Sequence, residues 1–303
     1  MRIAFIHNQQ AFLPELTAYR FFFQTQNIET CFVHEGEEDG SGADVFWYMM
    51  GFYPKAKRKN KLIIHEYSSA SVPPYRKIKD YLKRRLTPRP HFRIYLNEYV
   101  REQINIHDEV PIGYRDMGVN EIYFRPAPDT GKEYDFIYMG DLSSARKLEN
   151  LLKIFIPDGA LHAHSILLLG KDREGLAQSF GHCRNIIFQD AVPWTEVAAW
   201  LARARYAINY IPDEEPFNAQ TPTKFLEYAS MKIPVISTNY FWISEFQERY
   251  GGNYFLLKDD LSNLTWDRIT GFSYEFPNLD SWQWDERIRA SGVLDFLKQA
   301  GKV

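Results

Sequence analysis

The sequence predicts an α/β protein built from two doubly wound domains, each with a parallel sheet. Strand-like apolar runs alternate with helical patterns along the whole chain, as in parallel α/β units. A polar segment at 120–133 carries Pro126, Pro128 and Gly131 and interrupts the pattern like a linker. The alternation then restarts, so a ligand is expected in a cleft at the carboxyl ends of strands.

The first half contains six apolar runs that predict strands. They lie at 2–7, 30–34, 45–50, 62–65, 93–96 and 110–113. Helical patterns between them predict helices at 14–26, 75–86 and 98–104. The glycine- and acid-rich stretch at 36–42 is expected to be an exposed loop.

The second half repeats this organisation. Strands are predicted at 134–139, 165–169, 185–188, 206–211 and 233–237, with helices at 145–155 and 194–204. The tail is less regular and carries one helical pattern at 285–298. We therefore divide the chain into a first domain at 1–125, a second domain at 126–258 and a tail at 259–303 whose helix docks on the first domain.

Composition excludes several classes of protein. The chain has 303 residues, of which 45% are hydrophobic, enough for two packed cores. Two cysteines form neither a disulfide framework nor a metal cluster, which favours a reducing cytoplasm. No apolar run approaches the roughly 20 residues that span a bilayer. The G-x-G-x-x-G, P-loop, G-x-S-x-G, H-E-x-x-H and C-x-x-C motifs are all missing from the sequence.

The net charge of −3 conceals a basic region. Residues 51–93 contain 13 Lys or Arg and two acidic residues. Such a region can bind anionic lipid or nucleic acid, and the alternative is a solvated helix face with a charged loop. Because no recognised nucleic-acid motif accompanies the charges, we expect no nucleic-acid partner and name an anionic membrane surface as the candidate.

The segment at 221–238 carries the most specific local pattern. Thr221 is predicted as the N-cap and Pro222 as the first residue of a short helix. Lys224 then lies in the first turn beside free N–H groups, which together form an anion site. Glu227 shares a helix face with Thr223 and Lys224, which suits a ligand with a phosphate and nearby sugar hydroxyls. A surface ion pair between Lys224 and Glu227 is the alternative.

Residues 134–238 resemble the nucleotide-binding domain of a GT-B glycosyltransferase, close to family four. The resemblance is strongest at 222–238, where a proline, a lysine, a glutamate and a Pro-Val pair follow in order. The strand at 134–140, the loop and helix at 141–152 and the segment at 188–197 also resemble parts of that domain. Upstream, residues 112–124 resemble the segment that closes the first domain. The resemblance implies two Rossmann-like domains facing each other across a cleft.

The resemblance also implies the residues of the site. The donor nucleotide would contact Gly140, Arg146, Gly170, Lys171, Val192, Thr221, Thr223, Lys224 and Glu227. Glu227 would hold the ribose hydroxyls, and Lys224 with Arg146 would hold the diphosphate. The candidates for catalytic residues are His65, Glu215 and Gln220. No cofactor and no metal are expected, because the nucleotide-sugar is a substrate.

Some positions depart from the family pattern. Many family-four enzymes carry a second glutamate eight positions before the one matched by Glu227, and Ala219 stands there. Glu215 lies further upstream, and Gln220 or Asn218 would offer only a neutral group. A retaining, hexosyltransferase-like reaction is the expectation, but these departures leave its stereochemistry open.

The resulting hypothesis is a glycosyltransferase that moves a sugar from a UDP- or GDP-sugar to a glycan or lipid-linked acceptor. The expected role is in the synthesis of surface polysaccharide or glycoconjugate. The protein would be cytoplasmic, peripheral at the inner membrane face through residues 51–93. Two alternatives stay open: a nucleotide-sugar-binding protein without transfer activity, and a nucleotide-sugar epimerase.

Overall fold

The structure is a computed structural model that describes residues 1–7, 13–49, 53, 60–71, 75–125, 131–172, 175–215 and 217–301. The chain forms two compact units, each with its own hydrophobic core. The first unit comprises Met1–Gly118 and Asp280–Val303, and the second comprises Val119–Leu279. Residues 119–125 and 259–279 therefore belong to the second unit, whereas the sequence interpretation placed them in the first domain and in the tail.

Parallel strands form one six-stranded sheet in the described part of each unit. The strands are β1 (Arg2–Ile6), β2 (Glu29–Val33), β3 (Val45–Met49), β4 (Leu62–Tyr67), β5 (Phe92–Tyr95), β6 (Ile112–Tyr114), β7 (Tyr134–Met139), β8 (Ile166–Leu169), β9 (Ile186–Gln189), β10 (Ala204–Asn209), β11 (Val235–Thr238) and β12 (Phe255–Leu257). The first sheet has the order β2-β1-β3-β4-β5-β6, and the second has the order β12-β11-β10-β7-β8-β9.

Helices lie in most of the described connections between strands of each sheet, since parallel strands need crossover connections. They are α1 (Pro14–Thr25), α2 (Arg76–Leu86), α3 (Glu98–Ile104), α4 (Leu148–Leu152), α5 (Leu176–Phe180), α6 (Trp194–Ala202), α7 (Thr223–Ser230), α8 (Phe241–Tyr250), α9 (Trp266–Thr270), α10 (Trp284–Ala290) and α11 (Val293–Gln299). The predicted doubly wound α/β fold is confirmed. None of the described helices is long and apolar enough to cross a membrane.

The segment predicted as a linker is partly structured. Residues Glu121–Phe124 form a 3₁₀ helix, and the side chain of Asn120 accepts a hydrogen bond from the Ile122 N–H at 3.1 Å. Tyr123 is only 4% exposed, so this part belongs to the packed interior of the second unit. The polar composition of this segment did not indicate that Tyr123 is buried and anchors it. The prolines at 126 and 128 lie outside the described residues.

The predicted helix at 285–298 is two helices, because Gly292 adopts a left-handed φ of +72° between them. Both helices pack into the core of the first unit through four buried side chains: Trp284, Ile288, Val293 and Leu297.

The helix predicted at 145–155 is shorter in the structure than predicted. A 3₁₀ turn at Ser144–Arg146 ends at Lys147, whose φ is +53°, and α4 follows.

Candidate nucleotide site

The second sheet places two neighbouring strand ends at the point where its strand order reverses. Strand β7 lies beside β10, and the chain proceeds outward from this pair in both directions. At such a switch point the connecting helices lie on opposite faces of the sheet and leave a crevice outside the carboxyl ends of the strands. The topology alone therefore makes the ends of β7 and β10 the candidate binding position in this unit.

A cleft of about 200 Å³ lies at this position. Its walls come from the ends of β7 and β10, the 3₁₀ turn after β7, the loop after β10 and the first turn of α7. The lining residues are Tyr138, Met139, Gly140, Asp141, Arg146, Ile208, Asn209, Tyr210, Ile211, Phe217, Gln220, Thr221, Pro222, Thr223, Lys224 and Tyr228. Six of the residues singled out from the sequence are thus brought together: Gly140, Arg146, Gln220, Thr221, Thr223 and Lys224.

Gly140 ends β7 with a φ of +146°, a conformation that side chains with a Cβ rarely adopt. Gly170 ends the neighbouring β8 and supports this turn from behind. A Cβ at Gly170 would lie 1.9 Å from the Gly140 carbonyl oxygen, so only glycine fits there. Gly170 is not among the lining residues. The structure therefore places it as a packing neighbour of the Gly140 turn.

Helix α7 begins one residue later than predicted. Thr223 is its first residue and Pro222 its N-cap position, with an extended ψ of 99°. Thr221 does not cap the helix, because its hydroxyl accepts a hydrogen bond from the Trp242 indole N–H at 3.2 Å. No side chain among the described residues caps α7. Thr223 and Lys224 of this first turn line the cleft, so its N–H groups are available there as donors for an anion.

Lys224 and Glu227 form a pair on α7. The Lys224 Nζ lies 3.4 Å from the Glu227 Oε2, and the two side chains are 41% and 15% exposed. Burial raises the pKa of Glu227, which Lys224 and a hydrogen bond from Tyr123 partly offset. Burial, followed by the charge of Glu227, raises the pKa of Tyr123 well above that of a free tyrosine. Glu227 is not among the residues that line the cleft.

Arg146 supplies the second cation of the cleft. Its guanidinium carbon lies 4.8 Å from the centre of the Phe217 ring, a cation–π contact that holds the long side chain over the cleft wall. Lys147, the next residue, turns away to pair with Glu214. The cleft therefore carries the charges of Arg146 and Lys224 against the one carboxylate of Asp141 among its lining residues. This balance favours an anionic ligand.

The other predicted site residues lie elsewhere in the structure. Lys171 and Glu215 are exposed and Val192 is half-buried, and none of the three lines the cleft. Gln220 does line it, and its buried Nε2 has no hydrogen-bond partner among the described residues. His65 lies in β4 of the first unit, 1% exposed, with its ring edge-on to Tyr48 at 5.8 Å. Their assigned roles stay predictions.

Sequence reasoning missed two residues that shape the cleft, Tyr228 and Asn209. The buried Tyr228 hydroxyl accepts a hydrogen bond from the Met139 N–H at 3.0 Å, which fixes α7 to the end of β7. Asn209, 3% exposed, donates to Ser237 and Tyr240 at 2.9 and 3.0 Å. Tyr228 follows Glu227 directly, and Asn209 interrupts an apolar strand. These two positions in the sequence were the signals that could have identified the residues.

Among the described residues, no group of three or more His, Cys, Asp or Glu side chains could hold a metal ion.

Comparison with solved structures finds the same overall architecture in several proteins. Sucrose-phosphate synthase of Thermosynechococcus elongatus matches with a TM-score of 0.65 at 12% identity, over 99% of this chain and 98% of that one. HepE of Anabaena, solved with UDP and glucose, matches with a TM-score of 0.59 at 10% identity, over 100% and 98%. The UDP-GlcNAc 2-epimerase of Methanocaldococcus jannaschii matches with a TM-score of 0.54 at 12% identity, over 98% and 100%.

No protein-family model matches the chain, and no curated protein matches it by sequence. The structural matches extend over nearly the full length of both partners, and the sheets have the parallel order expected of Rossmann-like domains. The chain therefore has the GT-B fold, with two Rossmann-like units.

Proposed function

We propose that this protein is a glycosyltransferase that uses a nucleoside diphosphate sugar, with UDP or GDP as the leaving group. One observation carries the proposal. The uncapped first turn of α7, Lys224 and Arg146 converge on a single cleft at the switch point of the second sheet. Backbone N–H donors and two cations at one point form a site for a polyanionic group such as a diphosphate.

The reaction breaks the bond between the anomeric carbon and the diphosphate oxygen and forms a bond from that carbon to an acceptor oxygen. Negative charge grows on the departing diphosphate as the bond breaks. Lys224, Arg146 and the α7 N–H groups would stabilise this charge from fixed positions, which lowers the barrier. In this proposal the side chains supply the positive charge and no metal ion is required. The acceptor hydroxyl loses its proton during attack, and the departing diphosphate oxygen can accept that proton.

The finer assignments are part of the proposal. A hexose is proposed from the resemblance, and Glu227, which pairs with Lys224 but does not line the cleft, is proposed to bind the ribose hydroxyls of a nucleotide that extends beyond the cleft. From the resemblance alone we propose a retaining reaction, and because Ala219 stands where a donor-sugar glutamate would be expected, the neutral Gln220 amide would contact the sugar instead. The acceptor is proposed to be a glycan or lipid-linked glycan, in polysaccharide or glycoconjugate synthesis at the cytoplasmic membrane face.

Replacing Glu227 tests the nucleotide assignment. Glu227→Ala is expected to weaken UDP or GDP binding by about 1–3 kcal/mol, because a hydroxyl-binding carboxylate is lost. Glu227→Gln preserves the side-chain volume beside Tyr123 and separates loss of the ribose contact from repacking. Glu245→Ala, which removes an exposed carboxylate on α8, is the matched control. Unchanged calorimetric affinity in both Glu227 variants would place the ribose elsewhere.

The epimerase match makes nucleotide-sugar epimerisation the second candidate, since that enzyme shares the fold over its full length. A panel of UDP- and GDP-sugars, incubated with and without glycan acceptors, discriminates the candidates. Acceptor-dependent release of nucleoside diphosphate supports the proposal. Interconversion of the free nucleotide-sugar without acceptor supports the epimerase. Binding without turnover across the panel supports a binding protein, the reading that Ala219 favours.

A further inference from the structure

Helix α2 exposes its apolar side chains and buries none of them. The exposed fractions are 57% for Ile78, 51% for Tyr81, 39% for Leu82 and 50% for Leu86. Tyr75, immediately before the helix, is 73% exposed. An amphipathic helix of a folded protein normally turns its apolar stripe toward the core. Helix α2 instead turns its apolar side chains toward solvent.

The exposed residues form one continuous stripe. At about 100° per residue, the positions of Ile78, Tyr81, Leu82 and Leu86 fall within an arc of about 140° on the helix surface. Asp80 lies opposite the centre of that arc and is 4% exposed. The helix is therefore attached through a polar face, and the whole apolar stripe points away from the protein.

Polar contacts hold the inner side of the helix. The Lys83 Nζ donates a hydrogen bond to the Ser71 hydroxyl at 3.0 Å, and the Arg84 guanidinium donates to the Ile104 carbonyl oxygen at 3.4 Å. Burial lowers the pKa of Lys83, while the charge of Asp80 acts in the opposite direction. These contacts fix the orientation of the stripe without any buried hydrophobic residue of the helix.

Cations border the stripe on both sides. Lys77 and Lys79 are exposed at its two edges, and the Arg85 guanidinium lies within it, 5.8 Å from the centre of the Tyr81 ring. The helix has one acidic residue, the buried Asp80. An apolar stripe between cations matches the boundary between lipid acyl chains and anionic headgroups.

We infer that α2 binds an anionic bilayer by inserting this stripe at the headgroup boundary, with its axis parallel to the membrane plane. The inference goes beyond the charge of residues 51–93, because it assigns part of the attachment to apolar insertion. It concerns the first unit and does not depend on the nucleotide cleft. A purely electrostatic patch would need neither Ile78 nor Leu82 nor Leu86.

Vesicle flotation tests the inference. The wild type is expected to float with phosphatidylcholine vesicles that contain phosphatidylglycerol at low salt, and to remain unbound with pure phosphatidylcholine. The variant Ile78→Ser/Leu82→Ser/Leu86→Ser is expected to lose at least about tenfold in partitioning while its charge is unchanged. Phe241→Ser, which removes a 59% exposed ring from the second unit, is the matched control and should float normally.

A second variant separates charge from insertion. Lys77→Glu/Lys79→Glu/Arg85→Glu reverses the border while leaving Lys83 and Arg84, which hold the helix, in place. It should abolish flotation at low salt. Circular dichroism and nucleoside diphosphate binding are expected to be unchanged in both triple variants. The inference fails if the wild type does not float with anionic vesicles or if the serine variant floats equally well. It also fails if the stripe instead mediates a dimer that the serine variant dissociates.

Discussion

Lys224→Ala is expected to lower the rate of sugar transfer by a factor on the order of 10² to 10³. This is the usual loss when one preorganised donor at a developing negative charge is removed. Lys224 lines the cleft at the uncapped end of α7, so the departing diphosphate would lose a direct cation. The readout is kcat for nucleoside diphosphate release with the donor and acceptor found in the substrate panel.

Lys153→Ala is the control, because it removes an exposed cation of the same unit that does not line the cleft. Lys224→Arg should recover part of the rate, since the charge returns with a different geometry. The Lys224 side chain is 41% exposed, so the Ala variant should unfold near the wild-type temperature. If Lys224→Ala kept the wild-type kcat, the proposal that the diphosphate binds in this cleft would be wrong.

Arg115→Met is expected to cost about 3–5 kcal/mol in the free energy of unfolding. Arg115 is fully buried in the first unit, where its guanidinium pairs with Glu66 and lies 3.5 Å from the Glu15 Oε1. Glu66 also accepts hydrogen bonds from Tyr19 at 3.0 Å and Trp47 at 2.8 Å. The substitution leaves two buried carboxylates without their cation.

The pH dependence of this variant has a defined sign. Burial raises the pKa of Glu66, and the neighbouring Arg115 partly opposes the rise. Without Arg115 the pKa should rise further, so the folded state binds more protons than the unfolded state above the ordinary glutamate pKa. Stability of the variant then falls as pH rises through that window.

Chemical denaturation of the wild type and Arg115→Met at about pH 5 and about pH 8 measures this effect. The stability difference should be larger at the higher pH. Arg101→Met, which removes an exposed arginine paired with Glu98, should change little at either pH. Equal stability of Arg115→Met and wild type would show that the buried cluster has another source of compensation.

Regular elements were largely predictable because their signal is local. Buried parallel strands are continuous apolar runs, so the strand at 134–139 and the helix at 98–104 match the structure to the residue. The predicted helix bounds were wrong where the backbone conformation of a single residue breaks the helix. Gly292 divides the predicted tail helix, and Lys147 delays the start of the helix predicted at 145–155. No periodicity in the sequence reveals a single residue with a left-handed backbone conformation.

The site was predictable as a set of residue types, while its contacts were not. Lys224 and Glu227 share a helix face at a spacing that sequence shows directly. The partner of Glu227 is Tyr123, which is about a hundred positions away and lies in a segment whose composition resembles a linker. Thr221 is a good N-cap by residue type, but its hydroxyl accepts a hydrogen bond from the Trp242 indole N–H and does not cap α7. Long-range partners of this kind follow from topology.

The basic region shows the same limit. Its charge was evident from composition, but the outward orientation of Ile78, Leu82 and Leu86 depends on what α2 packs against. A helical apolar stripe in a sequence ordinarily predicts the buried face. Only the structure shows that the buried face of α2 carries Asp80 and not the apolar side chains. The stretch at 54–59 of the basic region lies outside the described residues.

Isothermal titration of the wild-type protein with UDP and GDP in the presence of EDTA tests the central claim most directly. The cations of the cleft and the α7 N–H groups are proposed to bind the diphosphate, so at least one nucleotide should bind with one-to-one stoichiometry. The corresponding nucleoside, which lacks phosphates, should bind much more weakly. Absence of measurable binding by both nucleotides, with and without added divalent metal, would contradict the account.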